Sequence, residues 1–217
     1  MTQLHYYPST ASMVPHILLE EIGLPYERVL VDRAKNANRE PAYLRLNSNG
    51  LIPVLTEGDL VLYETAAIVL HLCDTHPRAV LAPALGTPER AHFYKWLMWL
   101  TNTLQASLIL YFYPERWMEP GNEAGVAELK RHAERKVAGL LGQIDGELAR
   151  CGGPWFSGAA YSALDAYVFS LCRWTRNFSN ESPARSYPHL GPYLQRMLAR
   201  DAVQRVIANE GLAPPFV

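Results

Sequence analysis

The sequence predicts an α/β N-terminal domain followed by an all-α C-terminal domain, and three observations predict it. From Leu4 to Leu72, short apolar runs of strand character alternate with helical patterns. From Pro77 to Pro88 the chain is rich in proline, alanine and glycine and carries no long periodic pattern, which reads as a linker. Beyond it, apolar residues recur at helical spacing from Glu89 to Tyr111 and again from Val126 to Leu148. The expected organisation is therefore residues 1–77, a linker over 78–87, and a helical domain over 88–217.

Leu4 to Tyr7 reads as a strand, Pro8 to Ser12 as a turn, and Val14 to Ile22 as an apolar helix stopped by Gly23. Pro15 suits the first turn of that helix, where its missing N–H costs little. Tyr26 to Val31 alternates apolar and polar residues as a second strand does, and a polar segment, Asp32 to Glu40, leads into a short helix around Pro41 to Leu46. Ile52-Pro53 opens the apolar run Val54 to Thr56, with proline at the start of a strand, the position that tolerates it, and with a cis bond open to it. Gly58-Asp59 closes a tight turn and Leu60 to Leu62 makes the returning strand. Glu64-Thr65 stands where that strand gives way to an apolar helix, Ala66 to Leu72. A helix start with a hydroxyl and free N–H groups attracts a carboxylate.

In the second half, Pro114 ends the first long helix. After the turn Gly152-Gly153-Pro154, Ser162 and Asp165 stand three apart as a capping box, each side chain satisfying an N–H that the first helical turn leaves open. Tyr161 is placed for a hydrophobic staple. Later helices are expected from Tyr187 to Leu198 and from Ala202 to Ala208.

Bulk properties remove whole classes of function. A net charge of −1 offers no basic stripe for nucleic acid, and no apolar run reaches the length of about 18 residues that a membrane span needs. The N-terminal residues lack the charged and apolar regions of a signal peptide, so a cytoplasmic protein is expected. Cys73, Cys151 and Cys172 form neither a C-x-x-C pair nor a metal-ligand spacing, and read as small buried hydrophobes; no metal is expected.

The proline-led strand, the hairpin and the acid-hydroxyl pair at a helix start resemble the glutathione site of the glutathione transferases, whose N-terminal domain is thioredoxin-like. The resemblance covers essentially the whole chain. It implies that Ile52, flanked by Leu51 and cis Pro53, offers its backbone to the cysteinyl part of glutathione, and that Glu64 and Thr65 hold the γ-glutamyl end. The family usually has serine after the acid, and Thr65 keeps the hydroxyl. Lys35 or Asn36 would reach the glycine carboxylate; a solvated loop charge is the alternative for Lys35. A homodimer is implied, paired through the helix at Ala66 to Leu72 and the long helix at Glu89.

His16-Ile17-Leu18-Leu19-Glu20, the capping box and Leu171-Cys172-Arg173-Trp174 look most like the bacterial beta class, where the box is a folding element. Two of that class's landmarks are absent: Ala11 stands at the position of its cysteine, and Gln105 replaces a histidine on the first long helix. Thiol activation must then come from a hydroxyl before the first helix, since one hydrogen bond and a helix N-terminus lower a thiol pKa by about a unit or two. The candidates are Ser9, Thr10 and Ser12, each of which is also a natural helix cap, and Tyr6, which otherwise reads as an aromatic packed on a strand. Tyr7, Leu108, Tyr111, Phe112, Trp117 and Trp174 are the candidates to receive a flat apolar electrophile, against the alternative that aromatics at helical spacing are core.

The expectation is a glutathione transferase, of a detoxifying or catabolic kind, that conjugates the glutathione thiolate to an apolar electrophile. Two alternatives stay open: a non-catalytic glutathione-binding module, and a glutathione-dependent lyase or isomerase with a dedicated substrate.

Overall fold

A computed structural model describes all residues, Met1–Val217. The chain forms two compact units: Met1–Ala82 with Leu198–Ala213, and Pro83–Met197 with Pro214–Val217.

The first unit is built on a four-stranded sheet in the order β2-β1-β3-β4. β1 (Thr2–Tyr6) runs parallel to β2 (Tyr26–Leu30) and antiparallel to β3 (Val54–Glu57), which returns through Gly58-Asp59 into β4 (Leu60–Tyr63). Gly58 has φ +58°, the left-handed conformation that a two-residue hairpin turn demands. α1 (Met13–Ile22) joins the first two strands and stops where Gly23, at φ +74°, donates its N–H back to Leu19. A short α2 (Pro41–Leu44) and the longer α3 (Thr65–Thr75) complete the thioredoxin-like layer. Leu4, Val54 and Leu55 on the sheet, Val14, Ile17 and Leu18 on α1, and Ile68, Val69 and Leu72 on α3 are fully enclosed.

Where the sequence reading carried the helical domain unbroken to Val217, the final helix α9 (Asp201–Asn209) packs on α1 in the first unit. Charge holds it there. Arg200 makes two bonds to the Glu21 carboxylate (2.7 and 2.9 Å), Arg205 pairs with Glu20, and Arg28 donates to the carbonyl of Asn209 (2.7 Å). The apolar stripe of Ala202, Val203, Val206 and Ile207 faces inward. Helical periodicity shows such a stripe but not which domain receives it.

The second unit is helical: α4 (Pro88–Trp99), α5 (Ala106–Phe112), α6 (Glu123–Cys151), α7 (Ala163–Arg173) and α8 (Leu190–Leu198). Thr87 caps α4 by accepting the N–H of Arg90 (3.2 Å). The first long helix of the sequence reading is interrupted: Leu100–Gln105 is wound as a π-helix between α4 and α5. Apolar spacing survives such a widening, which is why periodicity did not reveal it. Asp165 sits at the start of α7 as the capping box predicted. It accepts the N–H of Ser162 (2.8 Å) and also that of Phe156 (2.8 Å) and the hydroxyl of Tyr193 (3.0 Å).

Candidate functional site

The turn after β1 and the loop before β3 belong to the same unit; the turn is tied by a side chain from far along the chain and the loop by side chains of the segment that precedes it. The loop is the more heavily strapped. The Leu51 carbonyl accepts from Tyr43 Oη (2.7 Å) and Asn47 Nδ2 (2.9 Å), the Gly50 carbonyl from Asn38 Nδ2 (2.9 Å), and the Asn49 carbonyl from Arg39 (3.3 Å). Gly50, at φ +63°, lies where a Cβ would meet the Asn38 carbonyl at 2.8 Å, so both its conformation and its smallness are required. Pro53 is buried, the Ile52–Pro53 peptide is cis, and the pairing of β3 begins only at Val54, which leaves the Ile52 backbone outside the ladder. Leu51 is exposed and Ile52 half-buried against Val31, Tyr43 and Val54. Burial pushes the Tyr43 hydroxyl well above its ordinary range, so it remains a donor to the loop at any working pH.

Glu64 precedes α3 with φ +70°, an unusual backbone for a residue with a side chain. It is exposed, Thr65 behind it is buried, and α3 runs from Thr65 with its first N–H groups ahead of the first helical hydrogen bond, Ile68 N–H to Glu64. Residues 51–53 and 64–65 thus offer a backbone edge and an anion-accepting helix start.

The hydroxyl turn is organised differently. Thr10 Oγ1 donates to the Tyr7 carbonyl (2.8 Å) and lies 3.0 Å from Ser12 Oγ, which itself bonds the Tyr7 carbonyl (3.1 Å) and accepts the Tyr7 N–H (3.3 Å). Ser12 is fully enclosed. Their protons serve the turn itself, and neither is a simple helix cap. Ser9 is half-buried at φ +62°, and its N–H donates to Glu210 Oε2 (2.8 Å), whose other oxygen is 2.8 Å from His16 Nδ1. Glu210 and His16 had no place in the sequence-based site. The two partners lie 201 and 194 residues from Glu210, a separation at which sequence spacing carries no signal. Tyr6 is packed, its ring 6.0 Å from that of His16 and under the guanidinium of Arg28. Tyr7 is half-buried with Arg33 over its ring, at 5.8 Å. Lys35 is a solvated charge, 83% exposed and 3.3 Å from Asp32, and Asn36 is exposed in a left-handed turn.

In the second unit, Gln105 closes the π-helical segment half-buried, and Tyr167 donates its hydroxyl to Gln105 Oε1 (2.6 Å). That bond fixes the amide with its nitrogen turned away from Tyr167. Phe178, Tyr111, Phe112 and Trp174 form a series of ring contacts with centroids 4.6, 5.1 and 6.1 Å apart. Phe112 and Trp117 are exposed, Trp174 is half-buried, and Tyr111 is nearly enclosed. Leu108 is fully buried on the inward side of α5, so of the aromatic and apolar candidates it is core.

Two family models match the chain, the glutathione S-transferase N-terminal domain over residues 1–74 and the C-terminal domain over 100–201. The chain belongs to the glutathione S-transferase family. A glutathione S-transferase, GST-4.5, of Xanthomonas campestris is 29% identical over 97% of this chain and 99% of its own length. Among solved structures, the beta-class glutathione S-transferase of Sphingomonas chungbukensis is 30% identical, with a TM-score of 0.83 over 97% of this transferase and all of that chain. A Sulfitobacter glutathione transferase homologue with bound glutathione is 27% identical, with a TM-score of 0.86 over 98% of this chain and 99% of its own.

Proposed function

We propose that this transferase binds glutathione with the backbone at Leu51, Ile52 and Pro53 and with the Glu64-Thr65 start of α3, and adds its thiolate to an apolar electrophile. The observation that carries the reading is the loop held by Tyr43 and Asn47 beside β3, together with the left-handed Glu64 at a helix start; the Sulfitobacter relative with bound glutathione supports it. The principal thiol donor is Ser9, half-buried in a left-handed turn that Glu210 fixes through the Ser9 N–H. Lys35 or Asn36 takes the glycine carboxylate, Lys35 in competition with Asp32, and Gln105, its oxygen held by Tyr167, stands at the position of the beta-class histidine. Phe112, Trp117 and Trp174, backed by Tyr111, receive the electrophile. The protein works in the cytoplasm as a homodimer, and the exposed apolar side chains of Leu60, Val61 and Tyr63 on β4 and of Tyr94 and Met98 on α4 support pairing.

The test is an ultraviolet pH titration of the thiolate of bound glutathione in the native protein and in Ser9→Ala, Thr10→Ala and Ser12→Ala. The expected result is a bound thiol pKa lowered by about one to two units and returned toward that of free glutathione by Ser9→Ala. A pKa that stays at the free value in all four proteins would remove the thiol-activating role and leave a glutathione-binding module. Restoration by Thr10→Ala instead would move the donor by one residue.

A further inference from the structure

We propose that Glu134, in the middle of α6, is a positioning residue for the aromatic face that receives the electrophile. The inference rests on the reading of Phe112 and Trp174 as that face. Glu134 is 1% exposed, and its hydrogen-bond partners are all donors from one segment that follows α7. Oε1 accepts the backbone N–H groups of Ser179 (3.0 Å), Asn180 (3.0 Å) and Glu181 (3.2 Å), and Oε2 accepts Asn180 Nδ2 (2.7 Å). Successive N–H groups converging on one carboxylate oxygen form an anion nest, here filled by a side chain.

The segment so held begins immediately after Phe178. Phe178 is nearly buried, with its ring 4.6 Å from that of Tyr111, and Tyr111 in turn supports Phe112, which meets Trp174 edge-on. One turn before Glu134 on the same helix, Lys130 Nζ lies over the Tyr111 ring, 5.0 Å from its centroid. Tyr111 is thus gripped from α6 by Lys130 directly and by Glu134 through Phe178. The segment from Trp174 to Phe178 is a succession of turns, with Phe178 N–H on the Thr175 carbonyl; Ala184 N–H on Thr175 Oγ1 (2.9 Å) and Arg185 on the Arg176 carbonyl (2.8 Å) tie its first half, and Glu134 holds the stretch that follows Phe178. Fixing it ahead of ligand arrival removes the ordering cost that an apolar ligand would otherwise have to offset.

The experiment compares calorimetric dissociation constants for glutathione and S-hexylglutathione, whose added chain reports apolar contacts without turnover. The native protein, Glu134→Ala, Glu134→Gln, Asn180→Ala, Phe178→Ala, Phe112→Ala and Trp174→Ala are measured, with melting curves to establish that each is folded. Glu134→Ala is expected to lower the preference for S-hexylglutathione about tenfold at unchanged glutathione affinity, Asn180→Ala about threefold, and Glu134→Gln, which keeps one acceptor oxygen, by an intermediate amount. KM for 1-chloro-2,4-dinitrobenzene should rise in the same order while KM for glutathione stays. If Phe178→Ala lowers the preference and neither Glu134→Gln nor Asn180→Ala does, the role of Glu134 is overturned and the aromatic face stands. If Phe112→Ala, Trp174→Ala and Phe178→Ala all leave the preference unchanged, the aromatic face itself is misassigned. Should Glu134→Ala not fold, Glu134→Gln and Asn180→Ala decide the matter alone.

Discussion

Glu210 and Asp165 are enclosed carboxylates, one in each unit, and they are held in opposite ways. Asp165 gathers donors close in sequence, Ser162 N–H at three residues and Phe156 N–H at nine, with the Tyr193 hydroxyl added at 28. Glu210 bridges the Ser9 N–H and the His16 ring across about the whole chain. The first carboxylate starts a helix and folds its own neighbourhood. The second brings the C-terminal segment to the turn that carries the proposed thiol donor. Two side chains of the same chemistry therefore carry different kinds of information, one local and one topological, and a substitution at each should be felt in different measurements.

The largest effect is expected at Asp165. Asp165→Ala strands two backbone N–H groups and a tyrosine hydroxyl inside the second unit, at a cost of about 3–5 kcal/mol. Urea unfolding should show most of the stability gone, and a loss under about 1 kcal/mol would mean that those donors find other partners. Glu210→Ala comes next, at about 2–3 kcal/mol, since the buried His16 ring and the Ser9 N–H lose their shared partner. Here the contrast is sharpest in kinetics. Ser9 should lose its fixed position, and kcat should fall about tenfold or more, while the protein that survives Asp165→Asn should keep its kcat. Equal losses of kcat in both would show that Glu210 has no specific hold on the Ser9 turn.

A smaller effect at Asp165 depends on pH. Burial pushes the Asp165 carboxyl up to about 6, although the Phe156 and Ser162 N–H groups, the Tyr193 hydroxyl and the Ser162 hydroxyl pull it down. Its folded value exceeds its unfolded value, so its contribution to stability is fully present below an ordinary aspartate pKa and is lost as the pH rises through about 6. Glu134 and Glu20 act in the reverse sense: burial raises them, their hydrogen bonds outweigh it, and the net lowering gives stability that is lost as the pH falls through their folded values. Melting temperature measured from pH 4 to 7 should therefore carry a downward component near 6 in the native protein that Asp165→Asn removes. A profile unchanged by Asp165→Asn would show that the carboxylate is ionised throughout.

What could be read in the sequence follows the same division. The capping box, the Gly58-Asp59 hairpin, the strand led by Pro53 and the helix start at Glu64-Thr65 are short-range patterns in which a few neighbouring residues decide the backbone, and each lies in the structure where those residues put it. Tyr43, Asn38 and Asn47 hold the loop at 49–51 over intervals of four to twelve residues and in a polar context, and nothing in their spacing marks them. The commitment of Thr10 and Ser12 to the Tyr7 carbonyl, and the packing of the last helix on the first unit, depend on tertiary contacts that composition and periodicity do not encode. Leu108 and Phe112 share α5 and an apolar character; one is core and the other exposed, because a four-residue step on a short helix leaves the burial of each to its neighbours.

The smallest expected effect lies within the capping box itself. Ser162→Ala removes a hydroxyl at the start of α7 but leaves the Ser162 N–H on Asp165 Oδ2 at 2.8 Å, and the Phe156 and Tyr193 bonds to Oδ1 are untouched. The hydroxyl's own contact with Oδ2 is longer, at 3.3 Å. Loss of a serine cap costs about 1 kcal/mol, a fraction of what Asp165→Ala should cost, because the carboxylate rather than the hydroxyl gathers the neighbouring backbone. Thermal unfolding should register that small loss, with glutathione and electrophile kinetics unchanged. A loss as large as that of Asp165→Ala would mean that the two side chains act as one unit, and that the local frame around α7 is more cooperative than its separate hydrogen bonds imply.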